Sequence, residues 1–396
     1  MKASGICKII LKKGIDMYSN QADNLLASKQ ASKQASKQAS KQASKQASKQ
    51  ASKQASKQAS KHSHAQWLDV LKALAMLGVI LVHYNNAWSS PVSIISKVSA
   101  IGARCPQLFF IISAYLTWAT LSKRSMQWKQ FYKKRFIRIA PVFYIALILA
   151  ALIPVINHVG IGNWISHFLF LNGLVPAWTN SIMGVEWYIA DLALFYMLAP
   201  VLWKYVRDLR PSLIAFAVSV VLSCGSLIIY NALGGSTVQS VQMYFETFFI
   251  LHQLPMMILG IVLYYLIRET EGKNVLKVLL GSGVVVAVVG FAFIALHLNK
   301  RFMTSSLIAG LAFAWLFLAC YSIRRVFEKK PWKQLAFIGL HSFGIYCFHQ
   351  IVINCVLKVV ARGGAMVWLG SLLLVIMISI GIGFCAEKVQ EKLIRA

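Results

Sequence analysis

The sequence has little charge and very little acid. Only 13% of its 396 residues are charged, and 12 Asp and Glu stand against 41 Lys and Arg, while 58% of the residues are hydrophobic. Soluble domains usually carry charge on about a quarter of their residues, so this composition excludes an ordinary soluble domain. The hydrophobic residues form blocks of about twenty, the length that crosses a hydrocarbon core about 30 Å thick. Backbone in lipid must satisfy its own hydrogen bonds, so these blocks predict an all-α integral membrane protein.

The sequence also lacks a cysteine pattern. Seven cysteines are present, which is an odd number, and no two of them have zinc-ligand spacing. We therefore expect no disulfide framework and no metal site. Most of them lie in apolar blocks, where cysteine usually serves as a small buried hydrophobe. They are Cys7, Cys105, Cys224, Cys320, Cys347, Cys355 and Cys385.

Because acidic residues are scarce, the net charge is +29, and such a charge can indicate a protein that binds nucleic acid. Residues 1–64 hold 13 Lys and 2 Asp, and the remaining positive charge lies in short segments between apolar blocks. Membrane proteins place their basic residues in this way, so we expect no nucleic-acid partner. The lipid bilayer is the expected partner, and the sequence indicates nothing about protein partners.

Residues 1–64 are a separate region with no apolar face. The motif Ala-Ser-Lys-Gln repeats eight times from Ala27 to Gln58. Such a segment cannot bury a core, so we predict a disordered basic tail that is at most transiently helical. It could lie on anionic headgroups, or it could be a tolerated repeat expansion with no task. Its short apolar run, interrupted by Lys8, does not resemble a signal peptide, and the true start codon is open.

Residues 65–396 are predicted to form a bundle of about ten transmembrane helices. With the tail in the cytoplasm, the inner segments carry 21 Lys and Arg and the outer segments carry 6. This difference predicts both termini in the cytoplasm and, for the chain, the plasma (inner) membrane. The spans are 66–88, 106–122, 139–156, 183–203, 212–231, 243–267, 275–297, 303–323, 334–357 and 366–386.

The first span carries three ionisable side chains, which are costly at membrane depth and therefore indicate function. They are Asp69, Lys72 and His83. Eleven residues make three helical turns plus about 20°, so Lys72 and His83 share a face about 16 Å apart along the axis. An acid, a base and an imidazole in one stripe suggest a path between two compartments. The alternative is that Lys72 snorkels and His83 caps the helix in interfacial water.

The sequence resembles a known family, the acyltransferase family 3 membrane enzymes. The resemblance begins with the first span and continues in the family's order to about residue 386. It rests on Leu68-Asp69, Leu71-Lys72 and His83; Phe109-Phe110 with Ser113; Arg135, Arg138 and Pro141; Trp187, Tyr196 and Pro200; and Ser342, Tyr346 and His349. It implies a ten-helix core that moves acyl groups, commonly acetyl, from coenzyme A to exported or lipid-linked saccharides.

The chain departs from the family pattern at three positions. Lys72 stands where the family usually has Arg, so a two-pronged contact is in doubt. Ala114 replaces a usual Gly, which puts a close backbone approach in doubt. If Trp187 and Tyr196 set the register, the family's usual Glu falls on Leu192, and the nearest acids are Glu186 and Asp191.

The resemblance assigns roles to the candidate residues. A sugar hydroxyl needs a base, and histidine suits this because its pKa lies near operating pH. His83 is that base, and Glu186 or Asp191 could orient it or could be a buried acid paired elsewhere. Arg135 and Arg138, expected just before a helix, would clamp the phosphates of acyl-coenzyme A or simply anchor the chain at the headgroups. Substrate or structural roles are left open for Ser113, Trp187, Ser342, Tyr346 and His349.

Besides the enzyme, two other function classes stay open, namely a transporter and a non-catalytic scaffold. The enzyme would be an acetyl-coenzyme A-dependent O-acyltransferase that modifies a polysaccharide by O-acetylation. A transporter or flippase of a glycan or small solute would use the same intramembrane Asp, Lys and His for proton coupling. A non-catalytic relative that acts as a scaffold is kept open by Lys72 and Leu192. The acyl group and the acceptor sugar are not determined by the sequence.

Overall fold

The computed structural model describes residues 66–122, 127–152, 159–270 and 302–395, and these residues contain helices and no strand. The α-helices in chain order are α1 (Gln66–Ala87), α2 (Ser93–Gly102), α3 (Cys105–Leu121), α4 (Trp128–Ala151), α5 (Ile161–Phe168), α6 (Trp187–Tyr205), α7 (Leu209–Ala232), α8 (Gln239–Met243), α9 (Ile250–Thr270), α10 (Phe302–Ser322), α11 (Lys330–Leu340), α12 (Ser342–Val359) and α13 (Ala365–Arg395). A π-helical turn, Tyr244–Phe248, joins α8 to α9.

Six helical segments in the described residues are long and apolar enough to cross a membrane. They are Gln66–Ala87, Ser93–Leu121, Leu209–Ala232, Gln239–Thr270, Ser342–Val359 and Ala365–Ile394. The α7 and α13 surfaces expose large hydrophobic side chains such as Ile214, Val221 and Met377. A continuous apolar exterior of this kind belongs against lipid, so the chain is a multi-pass membrane protein.

Several predicted boundaries need correction. The third predicted span begins at 139, but α4 begins at Trp128, so Arg135 and Arg138 lie within a helix and not before it. Arg and Lys are good helix formers, so the basic stretch continues the helix. The ninth predicted span, 334–357, is two helices that break at His341. The seventh span, 275–297, and the basic tail lie outside the described residues.

One half of the core is built around α9, which packs against α3 and α7. The α3–α9 crossing is close because Gly260 has no side chain. A Cβ atom there would collide with the carbonyl oxygen of Ile111. The buried carboxamides of Gln107 and Gln253 are hydrogen-bonded 3.3 Å apart across the same helix pair. Small residues and interhelical hydrogen bonds are the usual means by which membrane helices associate.

The other half joins α12 to α13 and α4. The α1 helix is tied to α13 by two hydrogen bonds, from Tyr84 to the Ser371 hydroxyl at 2.6 Å and from the Trp368 indole to the Trp88 carbonyl at 2.7 Å. Gly339, near the end of α11, sits on the backbone of α1 at Asp69, where a Cβ atom would collide with the Asp69 carbonyl oxygen. This contact brings the α11–α12 break next to the start of α1.

Residues 159–186, before α6, pack against α4. Phe170 stacks on Phe143 and Tyr144, which lie in the middle of α4, with interplanar angles of 25° and 24°. His167 and Asn172 are completely buried. These two polar side chains therefore point into the bundle. Burial is possible here because local hydrogen bonds pair the backbone of the turn.

Candidate functional site

A basic pocket opens between α1, α3, α4, α6 and α12. Its empty space is about 640 Å³ including its open mouth. Among the described residues, three cationic side chains line it and no carboxylate does. The lining residues are Lys72, Phe109, Ile112, Ser113, Leu116, Arg135, Arg138, Ile139, Tyr188, Leu192, Tyr196, Ser342, Phe343 and Tyr346. We call this cavity the basic pocket.

Lys72 reaches the basic pocket from α1 and is paired with an acid. Its Nζ lies 2.6 Å from Oδ1 of Asp69, one helical turn earlier, and both side chains are mostly buried. The predicted proximity of these two residues is therefore present. Asp69 neutralises one of the three cations, so the pocket keeps an excess of positive charge from the two arginines.

Arg135 and Arg138 belong to one face of α4. The Arg135 guanidinium lies over the rings of Tyr196 at 4.8 Å and Phe131 at 5.3 Å. It also donates a 3.1 Å hydrogen bond to Oγ1 of Thr117 on α3. Arg138 is solvent-exposed and stands at the pocket's edge. One guanidinium held by aromatic rings and Thr117, and one exposed guanidinium, suit an anionic ligand that enters from outside the bundle.

On α6, the pocket wall has no acidic residue at the position where the family that this sequence resembles usually has one. Leu192 lines the pocket and is 4% exposed. Ser113 of α3 and the pair Ser342 and Tyr346 of α12 supply hydroxyl groups to the same wall. Trp187 is not among the lining residues and packs instead against Phe110. Ser342 and Tyr346 lie four residues apart in α12, so they share one face of that helix.

His83 lies one residue layer beyond the pocket. Its ring centroid is 5.2 Å from that of His349, and the His349 ring is 5.4 Å from the Tyr346 ring. A path of side chains therefore runs from the basic pocket through Tyr346 and His349 to His83. Lys72 and His83 are separated along α1, as predicted. Lys72 therefore reaches the basic pocket, while His83, three turns further along the helix, contacts His349.

The hydrogen bonds of His349 fix its tautomer. Nδ1 lies 2.7 Å from the Tyr346 carbonyl oxygen, which can only accept, so Nδ1 carries the proton. Nε2 then has a lone pair, and it is a buried atom with no hydrogen-bond partner among the described residues. A buried imidazole with an open acceptor next to His83 can receive a hydrogen bond from that ring or from a substrate hydroxyl.

Glu186 is held by its own turn. Its Oε1 accepts from the amides of Ile182, at 2.8 Å, and Met183, and its Oε2 accepts from the amide of Val185 at 2.7 Å. His167 Nε2 is 3.6 Å from Oε1, and both side chains are fully buried. No contact of Glu186 with His83 occurs among the described residues. An orienting role of this acid toward His83 stays a prediction.

Asp191 is the second candidate acid, and it is fully buried on α6. Neither of its carboxyl oxygens has a hydrogen-bond partner in the described part of the chain. Gly173 and Ala190 lie against it, and the Tyr244 hydroxyl donates to the Gly173 carbonyl at 2.9 Å. A contact between Asp191 and His83 is likewise not found in these residues, so this assignment also stays a prediction.

Sequence reasoning did not assign three features of this site. The Glu186–His167 contact joins residues nineteen apart, and no spacing pattern predicts it. Tyr188 and Tyr196 were given no role from the sequence, yet both line the pocket. Their signal was the aromatic run around Trp187. Within the described ranges, no group of three His, Cys, Asp or Glu could hold a metal ion.

Comparison with known proteins gives two findings. Residues 65–386 match a family model of acyltransferase family 3, described as "Acyltransferase domain". A segment of 115 residues is 30% identical to the peptidoglycan O-acetyltransferase OatA of Listeria monocytogenes serovar 1/2a, covering 26% of this chain and 17% of that protein. The chain thus spans a small part of this relative's length. No solved structure matches the chain.

Proposed function

Because the chain belongs to acyltransferase family 3, whose model covers residues 65–386, we propose that it is a membrane O-acyltransferase acting on a glycan. The donor would be acyl-coenzyme A, with acetyl as the acyl group. The acceptor would be a hydroxyl of a cell-surface or lipid-linked saccharide. The observation that carries this proposal is the basic pocket, from which Tyr346 and His349 lead to His83.

The pocket fits an anionic donor by its charge. Lys72, Arg135 and Arg138 line it without a carboxylate, and Asp69 balances only Lys72. Phosphate groups of coenzyme A would bind Arg135 and Arg138, since guanidinium groups form paired hydrogen bonds with phosphate oxygens. The donor supplies an activated thioester, and the chain supplies position and charge. Arg135 is the more fixed of the two because two aromatic rings and Thr117 hold it.

His83 is the proposed base for the acceptor hydroxyl. Its ring is half-buried and contacts His349, whose open Nε2 can hold the His83 ring in one orientation. Two adjacent neutral imidazoles leave at least one lone pair free to take a proton. General-base catalysis of this kind contributes about 10²–10⁴-fold. Support for a sugar acceptor comes from the printed name of the similar protein, a peptidoglycan O-acetyltransferase.

The proposed topology has ten spans in the plasma (inner) membrane with both termini in the cytoplasm. It is supported by the excess of Lys and Arg in the segments assigned to the inside. The test compares Thr237→Cys, between α7 and α8, with Lys204→Cys at the end of α6, in a chain whose Cys7 and exposed Cys355 and Cys385 are replaced by Ser. A membrane-impermeant maleimide on intact cells should label only Thr237→Cys. Labelling of Lys204→Cys alone would invert the topology.

The activity test uses purified full-length protein in nanodiscs with radiolabelled acetyl-coenzyme A and cell-envelope glycan. We expect transfer by the parent protein and a loss of about 10²-fold or more in His83→Ala. Transfer that survives in His83→Ala would contradict the assignment of the base. An absence of transfer with any common acyl donor, from folded protein, would contradict the enzyme and favour the transporter.

A further inference from the structure

A second cavity lies on the lateral surface of the helix bundle, between α4, α6 and the turn after α5. We call it the lateral groove. Its empty space is about 610 Å³ including its mouth. Its lining includes large apolar side chains that are exposed: Phe136 is 54% exposed, Leu169 59% and Met197 49%. The groove therefore opens toward the apolar exterior that faces lipid.

The lateral groove borders the basic pocket. Three residues line both cavities, namely Arg135, Ile139 and Tyr196. The Arg135 guanidinium lies over the Tyr196 ring and is tied to Thr117, so its position between the two cavities is fixed. An apolar groove that ends on a fixed cation differs from an ordinary lipid-facing surface. It suits a molecule with a hydrocarbon tail and an anionic head.

The wall formed by the turn is built in advance. Phe170 has a φ of 59°, in the left-handed region that a non-glycine residue rarely adopts. Its ring is stacked at 5.4 Å on Phe143 and at 5.8 Å on Tyr144. The Tyr144 hydroxyl donates a 2.5 Å hydrogen bond to the Phe168 carbonyl. Stacking and this hydrogen bond offset the backbone cost, so the groove keeps its shape without a ligand.

A nucleotide base is the competing occupant, because the groove has aromatic walls next to phosphate-binding cations. The polar groups of the groove argue against it. The Tyr132 hydroxyl already donates to the Met197 carbonyl at 3.3 Å, and Arg135 is the one charged residue in the part of the lining that the structure describes. A base here would leave several donors and acceptors without partners, which is costly. A hydrocarbon chain needs none.

We propose that the lateral groove binds one hydrocarbon tail of a phosphate-bearing membrane lipid, with the lipid phosphate against Arg135. Lipid would then approach the basic pocket sideways from the bilayer, on the side of α4 and α6. This site shares Arg135 with the proposed donor site, so a lipid phosphate at Arg135 would compete with coenzyme A for that side chain, whereas the apolar part of the groove does not depend on the proposed donor or acceptor.

The test uses the full chain in nanodiscs that contain a phospholipid with a diazirine in its acyl chain. Photo-cross-links should map to the α4 peptide around Phe136 and the α6 peptide around Ala193. Ala193→Phe, which fills the groove, should reduce this labelling at least fivefold. The matched control is Leu198→Phe on the same helix, since Leu198 is exposed but does not line the groove. Unchanged labelling in Ala193→Phe would overturn the proposal.

Two further arms define the head group and guard against misfolding. A neutral diacylglycerol probe with the same tail should label the groove several times more weakly, and Arg135→Gln should remove this difference. Equal labelling by both probes in the parent protein would show ordinary lipid contact and overturn the phosphate assignment. Ala193→Leu, a smaller filler, should reduce labelling less than Ala193→Phe at an unchanged melting temperature. Groove labelling by an azidoadenine analogue of coenzyme A would favour the nucleotide and contradict the lipid.

Discussion

The rings of His83 and His349 lie against each other with their centroids 5.2 Å apart, although 266 positions separate them in the sequence. The contact joins α1 to α12. Nδ1 of His349 is bound to the Tyr346 carbonyl, which leaves Nε2 as the open atom of that ring. This pair makes His349 a positioning residue for the proposed base, and the relationship can be tested without removing His83.

We expect His349→Phe to lower kcat about tenfold with little change in KM, because the ring volume stays and only the nitrogen atoms are lost. The measurement is steady-state transfer from radiolabelled acetyl-coenzyme A, with the pH profile of kcat recorded for both proteins. His349→Gln, which can restore an acceptor, should recover part of the rate. An unchanged kcat and pH profile in His349→Phe would show that His349 only fills space.

The second prediction concerns donor binding. Arg138→Ala should raise KM for acetyl-coenzyme A about tenfold and leave kcat nearly unchanged, since a charge-assisted hydrogen bond to phosphate contributes about 1.5–3 kcal/mol. Lys133→Ala is the matched control, because Lys133 is an exposed cation on the same helix that does not line the pocket. Equal effects of the two variants would mean that only the overall charge of α4 matters.

The third prediction separates the buried acid from catalysis. Glu186→Ala should lower the melting temperature by several degrees, because three buried amides lose their acceptor at about 1–3 kcal/mol each. Glu246→Ala, whose carboxylate accepts only from the exposed Gln242 side chain, should have a much smaller effect. Thermal unfolding in detergent measures both. A stable but inactive Glu186→Ala would instead point to a chemical role.

A fourth prediction tests the α3–α9 crossing. Gly260→Ala should lower the melting temperature by about 5 °C, because the added methyl group meets the Ile111 carbonyl and the two helices must separate. Gly225→Ala on α7 is the control, since a Cβ there meets no atom within 4 Å and alanine favours the helix. If Gly260→Ala and Gly225→Ala have the same melting temperature, α3 and α9 are farther apart at their crossing than described.

Much of the fold followed from local pattern. Span edges such as 66–88 and 212–231 coincide with α1 and α7 within a few residues, because apolar length is a local property. The start of α4 was missed, since basic residues mark a membrane edge but do not end a helix. The break at His341 was also missed, because the apolar pattern continues across it. The number of ten spans stays a prediction.

The candidate site likewise combines features that local spacing predicts with contacts that only the tertiary structure shows. The sequence by itself determined a helical membrane protein, the Asp69–Lys72 pair one turn apart and the shared face of Ser342 and Tyr346, since helical periodicity decides each of them. Only the tertiary structure decided that His83 meets His349, that Glu186 meets His167 and that Arg135 stands between two cavities. Those contacts join residues from different elements, and their formation depends on how helices cross and on a turn that folds back between α4 and α6, which local spacing does not encode.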